Sequence, residues 1–276
     1  MRLKNSIKFY VICIMLVGIC FGKGKVAKAA DTANVTVKSD VEYSQYDVNG
    51  DGKADTIKMK TVNIADNKES GMIQIFVNDK ITFEQKRAWS PVWNVKLIKL
   101  ANGKIFFDIE SLIMYDSNCI HRLYICENNK LKCVYDFQKY YDKYATRYSV
   151  NIAKVSGNMI KTEVRPEFYV TGVIQYDMNI SFKDGKFKRT STTFVLKYKA
   201  MSMKNKWTAV KKIKVCKKAG STKAAYTLKK GKVVKLNKVI YKNNKVYFQV
   251  KNNKGKTGYI PASKTLGYFK EARVSQ

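Results

Sequence analysis

Histidine, proline and long apolar stretches are scarce in this chain. It has one histidine, His121, and three prolines among 276 residues. Four cysteines lie beyond residue 29, namely Cys119, Cys126, Cys133 and Cys216, and with a single histidine their spacing fits no zinc signature. No stretch after residue 29 approaches the ~18 apolar residues that crossing a bilayer requires, so the sequence predicts no membrane span there.

Residues 1–29 have the pattern of a secretion signal. Arg2, Lys4 and Lys8 precede an apolar run that ends at Phe21, and a small-x-small site follows at 27–29. We therefore predict a secreted protein, either free outside the cell or associated with the cell wall. The alternative is an anchor that is not cleaved. Export permits one disulfide bond among Cys119, Cys126 and Cys133, and three free thiols are an equal alternative.

Positive charge is concentrated at the C-terminal end. Residues 205–276 hold 20 Lys and Arg residues and one acid, Glu271, whereas residues 30–204 hold 27 basic and 20 acidic residues. Charge of one sign indicates the kind of partner more than the fold. It predicts attraction to an extracellular polyanion, and affinity for nucleic acid in a test tube would carry no physiological meaning.

Strand signals dominate the sequence, which predicts an all-β protein. Short alternating runs rich in Val, Ile, Tyr, Phe and Thr are separated by Asn, Gly and Asp turns. Turn glycines recur at Gly52, Gly103 and Gly157, and a second hairpin follows each, turning at 78–79, 128–129 and 184–185. A period near 50 residues with two hairpins is typical of propeller blades. We expect three blade-like antiparallel units in residues 30–196, in an open or atypical assembly, with an irregular β-sandwich as the alternative.

The first unit begins with an acid-rich loop. Its oxygen ligands are spaced as a calcium loop requires, with Lys53 offering a backbone carbonyl; the residues are Asp47, Asn49, Asp51, Lys53 and Asp55. Lys58 stands where an EF-hand needs glutamate. The loop instead resembles the Asp-rich loops of FG-GAP/VCBS-type repeats in secreted bacterial proteins, which implies one structural Ca²⁺. The alternative is an Asn/Gly/Asp turn that needs no metal.

Beyond a polar linker at 197–206, three motifs occur in order. They are the turn at 228–234, the aromatic pair Tyr247-Phe248 before Val250, and Gly258-Tyr259-Ile260. Residues 207–268 thereby resemble a bacterial SH3-like (SH3b) domain, followed by a tail at 269–276. Tyrosine stands at 247 and 259 where that family usually has tryptophan.

The SH3b resemblance implies a small β-barrel that binds peptidoglycan or an anionic wall polymer. The expected stacking residues are Trp207, Tyr241, Tyr247 and Tyr259, and the expected cationic residues are Lys217, Lys218, Lys229, Lys230, Lys232 and Lys256. The alternative is that the tyrosines are half-buried strand residues and the lysines a solvated face.

Catalytic patterns are weak. Cys119 and His121 share a strand face, but neither lies at a helix N-terminus, which would lower the pKa of the thiol. Asp108 and Glu110 also share a strand face, with no further support for catalysis. We therefore predict a non-enzymatic binding protein of a Gram-positive type bacterium, with an unknown partner for residues 30–200. The alternative is an extracellular enzyme or inhibitor active in residues 30–200, with the SH3b-like domain as its targeting module.

Overall fold

Antiparallel sheets account for nearly all the regular structure. The computed structural model describes residues 33–63, 70–88, 92–113, 117–140, 144–198, 205–263 and 267–272. In these ranges the only helical element is a single 3-10 turn, Gln138–Tyr140, and the rest of the regular structure is strand. The predicted all-β class is therefore confirmed. Within the same residues, no helix has the length and apolarity to cross a membrane.

Three sheets are each built from strands that follow one another along the chain. The exception is β1 (Ala33–Val37), which comes first in the chain but pairs with β6 of the second sheet described below. The first sheet contains β2 (Glu42–Tyr46), β3 (Asp55–Asn63), β4 (Ser70–Val77) and β5 (Lys80–Ala88). The second contains β6 (Val92–Lys99), β7 (Ile105–Ile113), β8 (Ser117–Glu127) and β9 (Lys130–Asp136). The third contains β10 (Ala145–Ser156), β11 (Met159–Phe168), β12 (Gly172–Val173), β13 (Tyr176–Lys183) and β14 (Lys186–Arg189).

The last hairpin of each of these sheets turns where the sequence predicts. Both central residues have positive φ in the turns 78–79, 128–129 and 184–185, as two-residue hairpin turns of type I′ require. Asparagine, aspartate and glycine tolerate this backbone best. The resulting register pairs Cys126 with Leu131, as the turn predicts, and keeps Cys133 out of line with Cys126.

The fourth sheet lies at the C-terminal end and stays open. Its strands are β15 (Thr193–Val195), β16 (Trp207–Thr208), β17 (Ile213–Cys216), β18 (Ala224–Leu228), β19 (Val233–Lys242), β20 (Lys245–Asn252) and β21 (Thr257–Pro261). The order is β15-β19-β20-β21-β17-β18, and β16 also pairs with β19. In the described residues, the outer edge of β19 is occupied by β15 and β16, so β18 does not pair there. The expected closed barrel is thus corrected to an open sheet.

The third and fourth sheets share one hydrophobic core. A single cluster of buried residues runs from Ile98 to Phe269, while a second cluster between Val37 and Cys126 joins the first two sheets. The rings of Phe168 and Phe248 meet edge to face with centroids 5.2 Å apart. Burying apolar surface is the main driving force of folding. The fourth sheet therefore depends on its neighbour for stability.

Packing extends across the predicted boundary at 196–207. β15 precedes the predicted linker but belongs to the fourth sheet. Within the linker, Tyr198 meets the Trp207 ring edge to face, with centroids 5.4 Å apart. Lys197 forms an ion pair with Asp177 of β13. Residues 199–204 of the linker lie outside the described part of the chain.

Candidate binding surface of the C-terminal sheet

One face of the fourth sheet carries a row of side chains across five strands. Residues directly opposite in antiparallel strands point to the same face. Four such pairings therefore align five side chains in one row. In order across the sheet they are Val195, Lys238, Gln249, Tyr259 and Cys216. The Gln249 amide donates a hydrogen bond to the Tyr259 hydroxyl at 3.0 Å. Val195 is 66% exposed, so the row combines apolar, aromatic and cationic groups at the surface.

A second row on this face contains Tyr247. Tyr247 pairs with Ile240 on β19 and with Pro261 on β21, which places its half-buried ring on the same face as Tyr259. The loop after β17 approaches this ring, because a Cβ on Gly220 would lie 3.6 Å from the Tyr247 hydroxyl oxygen. The structure thus brings together the two tyrosines that the sequence proposed for binding. We call this surface, Val195, Lys238, Ile240, Tyr247, Gln249 and Tyr259, the tyrosine face.

Lysines cover the fourth sheet and the loops joining its strands. Seventeen of them are exposed between residues 205 and 272, including the six expected cationic residues. They are Lys206, Lys211, Lys212, Lys214, Lys217, Lys218, Lys223, Lys229, Lys230, Lys232, Lys235, Lys242, Lys245, Lys251, Lys254, Lys256 and Lys270. No lysine in the described residues from 205 to 272 forms an ion pair.

The only acid of this region is used inside the fold. The carboxylate of Glu271 accepts hydrogen bonds from the Thr208 backbone N–H at 2.6 Å and from the Thr208 hydroxyl at 2.7 Å. It fixes β16 to the C-terminal segment and leaves the lysine charge uncompensated. Lys256 lies 5.9 Å from the centroid of the Tyr226 ring. Burial raises the pKa of Tyr226 to about 12, so this tyrosine stays neutral at physiological pH.

Two expected stacking residues are buried. Trp207 has no exposed surface, and its indole N–H donates to the Thr171 carbonyl at 3.4 Å. Tyr241 is 7% exposed, and its hydroxyl lies 2.7 Å from that of Tyr176 in a hydrogen bond. Both belong to the core between the third and fourth sheets, because β19 packs on the third sheet. This corrects the expectation that they offer an exposed surface to a ligand.

The acid-rich loop is folded by its own hydrogen bonds. Asp47 accepts the Gly50 N–H at 2.6 Å and the Gly52 N–H at 2.8 Å through its two carboxylate oxygens. Asp51 accepts the Lys53 N–H at 2.8 Å. Gly50 and Gly52 have φ of 80° and 87°, a backbone that glycine adopts most readily. These are Asx-type turns, in which a short acidic side chain satisfies nearby backbone donors.

Asp55 anchors the loop to the first sheet. It is 1% exposed, and its Oδ2 accepts the backbone N–H groups of Val48 at 2.8 Å and Asn49 at 3.1 Å. Its Oδ1 accepts the side-chain amides of Asn49 at 2.8 Å and Asn78 at 2.6 Å. Four N–H donors therefore satisfy the buried charge without a metal ion.

In this geometry the side-chain oxygens of the loop accept hydrogen bonds from N–H groups. Ca²⁺ takes six to eight oxygens, whereas the oxygens of Asp55 already face N–H groups, and the Asn49 side chain directs its amide nitrogen toward Asp51 and Asp55. Among the described residues no group of three or more acidic, Cys or His side chains converges as a metal site. The calcium site remains a prediction from the sequence.

His121 and Asp108 form a buried pair. His121 is 1% exposed, and its Nε2 lies 2.8 Å from Asp108 Oδ1. Burial lowers the pKa of His121, but the charge and hydrogen bond of Asp108 and the charge of Glu110 outweigh burial and leave the pKa raised. The pair is a core contact between β7 and β8, out of reach of a substrate in solution. The side chain of Cys119 lies outside the described residues, so its proposed pairing with His121 stays a prediction.

The remaining thiols are free. Cys126 is buried, Cys133 is exposed and Cys216 is partly buried at the end of the tyrosine-face row. Burial, together with the charge of Asp55, raises the pKa of Cys126 to about 11, which disfavours the reactive thiolate.

Sequence reasoning missed Lys238 and Gln249. Lys238 joins the tyrosine face because a bulge between Leu236 and Lys238 shifts the register of β19, and Gln249 joins it because it alternates with Phe248 on β20. The chain matches no known family model, no curated protein and no solved structure.

Proposed function

We propose that this protein is a secreted, non-enzymatic binding protein that associates with anionic polymers of the bacterial cell wall through its fourth sheet. The observation that carries the proposal is the set of exposed lysines on this sheet and its loops, none of which forms an ion pair in the described residues. A stable fold does not require such charge, and like charges repel one another. Binding to a polyanionic partner would neutralise the repulsion between these lysines and would account for their number.

Binding would combine two physical contributions. Lysines near a dense polyanion release its condensed counterions, which gives affinity that falls steeply with salt. The tyrosine face adds half-buried rings and the Gln249 amide, which suit the apolar faces and hydroxyl groups of sugars or of a wall peptide. The first contribution provides attraction to any polyanion, and the second provides a salt-resistant component.

The finer architecture is part of this proposal. We interpret the first three sheets as blade-like units, since each comprises consecutive antiparallel strands with equivalent turns. We interpret the fourth as an SH3b-like module whose edge is occupied by β15 and β16. The blade-like region would hold the module away from the cell surface or present a surface to a second partner.

Wall retention of residues 30–276 tests the proposal. The whole mature chain is needed, because the fourth sheet shares its core with the third. Purified protein is mixed with isolated cell walls, with and without chemical removal of teichoic acid, across a salt series. We expect strong retention at low salt that decreases after removal of the anionic polymer.

The outcomes distinguish binding by the tyrosine face, binding by the lysines and absence of binding. Retention that survives both high salt and polymer removal would assign the binding to peptidoglycan and to the tyrosine face. Retention that disappears under both conditions would assign it to the lysines alone. Absence of retention at low salt would refute the proposal.

A further inference from the structure

Two pairs of lysines face each other across the β19–β20 hairpin. Lys235 lies opposite Lys251 near the open end of the hairpin, and Lys242 lies opposite Lys245 beside its turn. All four side chains are exposed, and we call these two sets the lysine pairs. Residues directly opposite in antiparallel strands point to the same face, and like charges in such positions lower the stability of a sheet. Folding alone therefore does not favour either pair.

The lysine pairs have no anionic partner within the described part of the chain. None of their four side chains forms an ion pair there. The ammonium group of Lys242 donates a hydrogen bond to the Ala219 carbonyl at 3.2 Å, which is a neutral partner. The sequence from residue 205 onward contains one acid, Glu271, and Thr208 engages its carboxylate. The positive charge of both pairs is therefore available to a ligand.

The tyrosine face lies between the two lysine pairs. Side chains alternate along β20, so Lys245, Tyr247, Gln249 and Lys251 share one face of the strand. Lys238, the cation of the tyrosine face, is half-buried opposite Gln249. From Lys245 to Lys251 the extended strand covers about 20 Å. The hairpin thus presents positive charge at both ends and in the middle, with aromatic and amide groups between.

We propose that the β19–β20 hairpin binds a linear polyanion lengthwise, with one lysine pair at each end of the contact. The ligand is a chain of phosphates joined through neutral polyol or sugar units. Its phosphates would lie at the lysine pairs and at Lys238, and its neutral units against Tyr247 and Gln249, which suit C–H and hydroxyl groups. The inference rests on the proposed function, and it adds the direction and the minimum length of the bound polymer.

The spacing of the lysine pairs makes binding depend on ligand length. Once one end of a long chain is bound, its other end meets the second pair at a high effective concentration. A chain that is shorter than about 20 Å reaches only one pair and lacks this gain. A small phosphate is therefore a poor ligand for this surface.

Calorimetric titration of residues 30–276 with glycerol phosphate oligomers tests the length requirement. The probes are a dimer, which is too short to reach both lysine pairs, and an octamer, which is long enough. We expect the octamer to bind more than about tenfold more tightly than the dimer. Its affinity should fall between about 50 and 200 mM salt, because binding releases counterions. A smaller gain with length, or no binding of the octamer, would overturn the inference.

Variants locate the contact on the hairpin. Changing both Lys235 and Lys251 to glutamine removes one pair, so octamer binding should weaken about tenfold or more while dimer binding, at the other pair, changes little. The matched control changes Lys223 and Lys270 to glutamine, two exposed lysines outside β19 and β20. Melting temperatures verify that each variant is folded. Equal weakening of octamer binding in the two variants would show a general charge effect and would refute the inference.

Two further comparisons identify the partner and separate this inference from the proposed function. An oligothymidylate octamer that binds more tightly than the glycerol phosphate octamer would assign the surface to single-stranded nucleic acid and overturn the inference. Wild-type protein that is retained on cell walls but shows no dependence on oligomer length refutes only the lengthwise contact. Protein that shows the length dependence but is not retained on walls refutes only the wall function and supports the contact.

Discussion

The first three sheets and the fourth sheet use charge in opposite ways. Every ion pair of the described residues lies between Glu42 and Lys197, for example Lys58 with Glu42 at 3.0 Å and Arg122 with Asp136 at 2.9 Å. From residue 205 to 272 the described lysines have no such partner, and Glu271 is engaged by Thr208. Exposed ion pairs contribute little to stability, so neither pattern is needed for folding.

The backbone construction of the two regions is otherwise alike. Both consist of antiparallel strands, and the hairpin at Asn243 and Asn244 has positive φ values similar to those of the hairpins at Asn78 and Asn128. Their difference therefore lies in surface chemistry. The more nearly balanced charge of the first region gives little preference for a partner of one sign, whereas the unbalanced charge of the second favours a polyanion.

Trp207→Ala tests the strongest link between the regions. Removing this buried ring should lower the free energy of unfolding by about 3–5 kcal/mol, since a large cavity remains in the shared core. Hydrogen exchange should accelerate in both the third and fourth sheets. Trp93→Ala is the control, because Trp93 lies in the cluster of the first two sheets and should accelerate exchange there. Faster exchange confined to the fourth sheet in Trp207→Ala would show that the two regions fold separately.

Neutralising lysines tests the difference in charge. Changing Lys235, Lys242, Lys245, Lys251 and Lys256 to glutamine should reduce wall retention roughly a hundredfold at 50 mM salt and flatten its salt dependence, as fewer counterions are released. The matched control changes five exposed lysines of the first three sheets, namely Lys60, Lys80, Lys86, Lys130 and Lys154. Equal losses in the two sets would mean that total charge matters and that its position does not.

Gly258→Ala tests whether the fourth sheet must be intact for binding. A Cβ at this position would overlap Val215 Cγ1 and lie 2.9 Å from the Cys216 carbonyl oxygen, so β17 must move away from β21. We expect a loss of about 1–3 kcal/mol in stability and weaker wall retention. Thr257→Ala, an exposed neighbour, should leave both unchanged. Wild-type stability in Gly258→Ala would show that the strands accommodate a methyl group.

The pH dependence of stability near neutral pH tests the second sheet, because His121 is the only histidine and lies there. Its folded-state pKa is raised by Asp108 and Glu110 against the opposing effect of burial. The pair therefore contributes stability fully below pH ~6.5, and this contribution is lost as pH rises through the folded-state pKa. Urea unfolding from pH 5.5 to 8.5 should show this decline, and Asp108→Asn should reduce it. A stability that increases over this range would contradict the pKa direction.

Several features follow from short-range rules. The type I′ hairpins at 78–79, 128–129 and 184–185 depend on residues that tolerate positive φ, and their two-residue loops set the pairing of Cys126 with Leu131. The alternation of β20 likewise places Tyr247 and Gln249 on one face and Phe248 in the core. Such features need no information from distant residues.

Other features depend on contacts between distant segments. Alternation marks Trp207 and Tyr241 as strand residues but does not say that a second sheet covers them. The pairing of β15 with β19 and the stacking of Arg189 on Tyr241 each join segments that are far apart in the chain.

The sequence by itself determined the all-β class, the turns and the imbalance of charge, because each depends on residue type and local spacing. The tertiary structure decided which aromatic rings are buried, that the sheet of the C-terminal region stays open, and that β15 and β16 occupy the outer edge of β19. Those outcomes arise from packing one sheet on another, and packing depends on the shapes of both partners at once.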